Sequence, residues 1–121
     1  MKIFAALVVL ATFAPSPASA QAYPTKPIRV ITANSAGGTS DIFVRALGDE
    51  LQKRLGQPIV VENRSGGGMN IAGRACAESA NDGYNICILP NEVLTLNEFT
   101  FKSIPYTPER DFEPITHCCL T

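Results

Sequence analysis

Ala36-Gly37-Gly38-Thr39-Ser40-Asp41 sets two glycines and two hydroxyl residues ahead of an acid, where a small polar stretch gives way to a helical pattern. A loop of that kind feeding a helix N-terminus exposes backbone N–H groups and the positive end of the helix dipole. Together they bind anions without a charged side chain. Each charge-assisted hydrogen bond contributes about 1.5–3 kcal/mol, and the dipole adds about 0.3–1 kcal/mol. A plain tight turn, with Gly37 and Gly38 supplying only backbone freedom, is the other reading of the same residues. Pro90-Asn91-Glu92 is a second candidate stretch, because it too follows a strand-like run, and Ser65-Gly66-Gly67-Gly68 is a third.

Catalytic chemistry finds no such support. Neither glycine-rich loop spells G-x-G-x-x-G, and there is no G-K-[ST] for a P-loop and no G-x-S-x-G nucleophile elbow. The single histidine, His117, has no serine or carboxylate at a spacing that suggests partnership. Asp41, Asp82 and Asp111 read as a helix-start acid, a turn former and a loop acid. The expectation is a binding protein and not an enzyme, without metal or cofactor.

The four cysteines are Cys76, Cys87, Cys118 and Cys119. No C-x-x-C pattern is present, so a zinc site is not expected. Free cysteines acting as small buried hydrophobes are the favoured reading, and a Cys76–Cys87 bridge is the best specific alternative.

The candidate loops need elements to position them. Ile28–Thr32, Ile59–Asn63 and Tyr84–Leu89 are short β-branched runs that read as strands. From Ile42 to Leu55, apolar residues recur at three- and four-residue spacing, which predicts an amphipathic helix packed by its Leu47 and Leu51 face. Thr39 or Ser40 can cap that helix, and Gly56 ends it. Asn70–Ser79 reads as a second helix with Ile71, Ala75 and Cys76 inward. Glu92–Phe101 is a short helix or an irregular excursion, Ile104–Glu113 a loop, and Ile115–Leu120 a fourth strand. Strands alternating with helices predict an α/β fold with a parallel sheet, whose ligands bind beyond the carboxyl ends of its strands.

The N-terminus has another purpose. Lys2, an apolar run from Ile3 to Ala14 and the small-x-small Ala18-Ser19-Ala20 have the layout of a secretory signal peptide. The run is too short for a membrane span, which needs about 20 apolar residues. Residues 21–121 then form the mature part, with nine basic against eleven acidic residues. Lys and Arg are scattered rather than clustered, so no nucleic-acid partner is expected.

Five stretches in order also carry a family resemblance: Tyr23-Pro24-Thr25-Lys26-Pro27-Ile28-Arg29-Val30; Ala36 to Asp41; Val61-Glu62-Asn63-Arg64 running on to Gly68, Asn70 and Ile71; Asp82-Gly83-Tyr84; and Ile104 to Ile115. The mature chain resembles the extracytoplasmic solute receptors of the tripartite tricarboxylate transporter family, the Bug-type periplasmic receptors. The resemblance implies a periplasmic-binding-protein-like (type II) α/β lobe of a two-lobed clamshell, monomeric when complete. It implies a small organic acid as ligand and membrane permease subunits as partners. It points to Ala36, Gly37, Gly38, Thr39, Ser40 and Asp41 as ligand-binding, with Asp41 fixing the loop or touching ligand; Asn91 and Glu92 join them from the third strand's loop. The family usually has a proline and an aromatic before the glycines, where this chain has Ala33 and Asn34, and a small or hydroxyl residue where it has Pro90-Asn91-Glu92. A glutamate facing the cleft repels a carboxylate; one pointing away does not. Family members are much longer, so the chain is expected to be a partial N-terminal lobe, truncated before the second lobe. An exported remnant without function is the alternative.

If Met1–Ala20 is a signal peptide, periplasmic protein begins at Gln21. Intact-mass measurement of the exported protein checks this, and Met1 retained on periplasmic material overturns it.

Overall fold

The computed structural model describes residues 22–118. Three parallel strands form one sheet: β1 (Ile28–Thr32), β2 (Ile59–Asn63) and β3 (Asn85–Ile88), in the order β2-β1-β3. β1 is central, and Ile28, Val30, Ile31 and Thr32 are all buried. A central parallel strand is covered on both faces, which is why its sequence is nearly continuous in β-branched residues. Burying each of the large ones contributes about 1.5–3 kcal/mol. The register pairs Thr32 with Asn63 on one side and with Ile88 on the other. The three strands therefore end level, and the segments after them emerge on one edge, as the alternating pattern predicts.

α1 (Thr39–Leu55) connects β1 to β2. Lys53 and Arg54 lie in its last turn, and Gly56 in the left-handed region closes it by donating to the Gln52 carbonyl at 2.9 Å. Its buried stripe is Asp41, Val44 and Gly48, with Leu51 half-buried. This corrects the face expected from periodicity: Leu47 is 37% exposed and Ile42 62%. The reason is Gly48, where a Cβ would lie 3.2 Å from the Ile59 Cβ. The helix seats tightly against β2 at its smallest residue, and Ile42, Phe43 and Leu47 lie exposed beside the buried stripe.

α2 (Asn70–Ala77) covers the other face. Ala72 joins Ile31 and Ala33 in a core cluster, with Met69, Ala75, Cys87 and Leu89 packed against it. Ile71, expected inside, is 49% exposed, because Ala72 and Gly73 are the buried pair. The cysteines also differ from the favoured reading. Cys76 on α2 and Cys87 on β3 are bonded, with Cα atoms 6.2 Å apart, while Cys118 is free and exposed; Cys119 lies outside the described residues.

Beyond β3 come three short helices, α3 (Asn91–Thr95), α4 (Asn97–Thr100) and α5 (Pro108–Asp111), the last inside the stretch expected to be a loop. The expected fourth strand is absent over residues 115–118, and 119 and 120 lie outside the described residues. Ile115 is 80% exposed. At the sheet's amino edge the N-terminal segment is pinned to the turn before β3. The Thr25 N–H donates to the Tyr84 hydroxyl at 3.0 Å, and Lys26 pairs with Asp82 at 2.9 Å.

The Cys76–Cys87 bridge closes a loop with a sequence separation of 11. Replacing both cysteines by alanine is expected to cost about 2–4 kcal/mol, read as a lower urea midpoint. An unchanged midpoint overturns that role.

Candidate binding edge

The first turn of α1 has no side-chain cap. Its ladder begins only where the Ile42 N–H donates to the Gly38 carbonyl at 3.0 Å. The N–H groups of Thr39 and Ser40 precede that bond and lie at the positive end of a 17-residue helix. Gly37 has φ +82°, in the region that favours glycine. Gly38 is extended, with φ −74°, and a Cβ there would lie 3.3 Å from the Ser35 carbonyl oxygen. Backbone freedom is thus required at Gly37, and closeness of approach at Gly38.

Asp41 sits behind this turn and is only 3% exposed. Its carboxylate accepts from the Gly37 N–H at 2.9 Å, from Arg45 Nε at 3.0 Å to each oxygen, and from Asn63 Nδ2 at 2.9 Å. Asn63 Nδ2 also donates to the Asn34 carbonyl at 3.1 Å, and Arg45 Nη2 donates to Asn63 Oδ1 at 3.1 Å. The Arg45 guanidinium, with the Gly37 N–H and the Asn63 amide, holds the Asp41 carboxyl well below the usual carboxylate range. Asp41 therefore faces the protein and fixes both ends of the loop.

Ala36, Gly37 and Thr39 are exposed, and Gly38 and Ser40 are partly so. Asn91 and Glu92, also exposed, open α3 on the same edge, since β3 neighbours β1 in register. The edge is open. Two shallow depressions lie elsewhere, one lined by Asp49, Gln52 and Lys53 and another by Ala22, Tyr23, Thr25 and Tyr84. Among the described residues no cluster of His, Cys, Asp and Glu could hold a metal ion, and no helix is long and apolar enough to cross a membrane.

Sequence reasoning missed Arg45 and Asn63 as supports of the loop. The four-residue spacing from Asp41 to Arg45 was a usable signal. Asn63 needed the strand register, which places it beside Thr32 at the end of β2.

A family model for the tripartite tricarboxylate transporter family receptor matches residues 43–120. Protein BugT of Bordetella pertussis is 39% identical over 102 residues, which cover 84% of this chain and 31% of that protein. The solved structure of MatC (Rpa3494) from Rhodopseudomonas palustris with bound malate aligns with a TM-score of 0.69 at 30% identity, over 76% of this chain and 31% of that one. R. palustris Rpa4515 with adipate aligns with a TM-score of 0.67 at 30% identity, over 72% of this chain and 29% of that one. The chain spans about a third of the length of the curated relatives it matches.

Because its folded pKa is depressed, Asp41 contributes stability that is fully present above the unfolded value of about 3.9. That stability is lost as pH falls toward the folded value. Asp41→Asn is expected to lower the thermal midpoint at pH 7 by several degrees and to flatten its decline below about pH 4. A variant that keeps the full acid-dependent decline would show that Asp41 does not carry it.

Proposed function

The chain belongs to the tripartite tricarboxylate transporter receptor family, and from that premise we propose that it supplies the ligand-holding loop of a periplasmic receptor for a small carboxylate metabolite. The observation that carries this reading is the start of α1, where the N–H groups of Thr39 and Ser40 open the helix while those of Gly37 and Gly38 are taken by Asp41 and the Ser35 carbonyl and the adjacent acid is turned inward. Two similar structures are those with malate and with adipate, both dicarboxylates. A carboxylate approaching the turn meets N–H donors and the helix dipole, and the Asp41 charge behind it is compensated by Arg45.

In this reading Ala36, Gly37, Gly38, Thr39 and Ser40 supply the backbone approach, and Asp41 positions it. Asn91 and Glu92 stand at the neighbouring loop as specificity elements. Glu92 lies in the first turn of α3 and is exposed, so it disfavours a second carboxylate placed near it and favours a hydroxyl or amine there. Export by residues 1–20 delivers the receptor to the periplasm, where it hands ligand to membrane permease subunits.

The receptor carrying this segment should be titrated with malate, adipate and related dicarboxylates, following thermal shift and calorimetry together. Gly38→Val places side-chain atoms against the Ser35 carbonyl and over the N–H groups, and is expected to weaken binding at least tenfold in a folded variant. Full affinity in folded Gly38→Val would reduce the loop to a turn. Glu92→Gln is expected to tighten dicarboxylate binding if Glu92 faces the ligand, and an unchanged affinity removes Glu92 from the site.

A further inference from the structure

Behind the carboxyl edge lies a polar cluster that neither the sheet nor the Asp41 clamp uses. Asn97 and Tyr106 are each only 6% exposed. The Gly68 carbonyl can only accept, so the Asn97 amide must turn its nitrogen toward it, at 2.8 Å. The same Nδ2 donates to Asn70 Oδ1 at 2.8 Å. Asn70 Oδ1 also accepts from the Tyr106 hydroxyl at 2.6 Å. The Tyr106 oxygen lies 3.0 Å from the Val93 carbonyl, a second acceptor for its one proton.

These partners belong to two different loops of the edge. Gly68 is in the glycine turn after β2 and Asn70 opens α2, whereas Val93 sits in α3 directly after Asn91 and Glu92. The glycine turn itself needs holding. Gly66, Gly67, Gly68 and Met69 all have positive φ, with 69° at the non-glycine Met69, a conformation that is unfavourable for a residue with a Cβ. α2 in turn makes room for the tyrosine, because a Cβ on Gly73 would lie 2.5 Å from Tyr106 Cε1. Phe112 stacks edge-on against the same ring, 5.4 Å between centroids.

We propose that Tyr106 and Asn97 are positioning residues of the binding edge: through Asn70 they lock the Gly66–Met69 turn to the Asn91–Glu92 loop, so the two move as one body. The bearing on ligand rests on the receptor reading above; the coupling itself stands on these distances and this burial.

Amide hydrogen exchange on the folded chain tests the coupling. Tyr106→Phe, which keeps the ring, is expected to speed exchange at both Met69 and Val93, whose N–H groups donate to the Gly66 and Pro90 carbonyls, by roughly tenfold, the effect of losing one buried hydrogen bond, with β1 and α1 unchanged. Asn70→Leu is expected to do the same, and Asn70→Asp, which keeps the acceptor, to leave both loops protected. Acceleration at one loop alone, or spread evenly over β1 and α1, overturns the proposal, as does equal loosening by Asn70→Asp and Asn70→Leu. If Asn70→Leu does not fold, Tyr106→Phe decides. Malate titration of the receptor carrying Tyr106→Phe is the second arm, with several-fold weaker binding expected. Unaltered malate affinity in a loosened variant would refute the positioning role. No dicarboxylate uptake by the unaltered receptor would instead refute the receptor reading, and the exchange pattern would still decide the coupling.

Discussion

A buried carboxylate holds the edge together. Asp41 is nearly inaccessible, and an ionised acid in such a place survives only when its lone pairs are met. Gly37, Arg45 and Asn63 meet them. Each of those partners comes from a different part of the structure: the loop, the body of α1 and the end of β2. The cost of leaving any one unmatched therefore fixes the loop to the helix and both to the sheet. The charge pair also shapes the field at the turn. With Arg45 against Asp41, the first turn of α1 presents its N–H dipoles without a net negative charge to oppose an arriving anion.

The sheet makes that clamp possible. Parallel pairing with β1 in the middle brings Thr32, Asn63 and Ile88 level, so a side chain at the end of β2 can reach a loop that leaves β1. The Cys76–Cys87 bridge ties α2 to β3 on the opposite face, and the Asn70–Asn97–Tyr106 cluster continues that tie toward α3. The edge is thus held from both faces of the sheet: by ions and amides on the α1 side, and by a covalent bond and neutral hydrogen bonds on the α2 side. Neutral groups suit the second place, because Asn97 and Tyr106 are buried without a counter-ion.

Strand identity, parallel topology and the C-terminal end of α1 were legible because local chemistry decides them: β-branched runs and Gly56 at the helix end; the cap expected at Thr39 or Ser40 falls instead on Gly38, with no side-chain bond. The inward face of α1 was not. Gly48 carries almost no hydropathy, yet its missing side chain is what lets the helix close on Ile59. The same blindness exposed Ile71 in place of Ala72 and Gly73. Cys76 and Cys87 allowed two readings until α2 and β3 were placed side by side. The loop Ala36–Asp41 was legible as a candidate, but the inward turn of Asp41 depends on Asn63, 22 residues away. Long-range partners of that kind, Asn97 and Tyr106 among them, have no signature in local spacing.

An anion held by backbone N–H groups on an open edge competes with water for every bond. In bulk solvent two unit charges 4 Å apart interact by only about 1 kcal/mol, and by about 4 kcal/mol at the lower dielectric near a protein surface. On the proposed reading, the Thr39 and Ser40 donors would therefore set where a carboxylate sits and how it is oriented, while its affinity would be set by how completely water is excluded around it. Ala36, Gly37 and Thr39 are exposed, so on that reading this segment orients the ligand. A loop with that task gains from rigidity more than from charge, because a preorganised donor loses little freedom when ligand arrives. Rigidity is what the Asp41 clamp supplies.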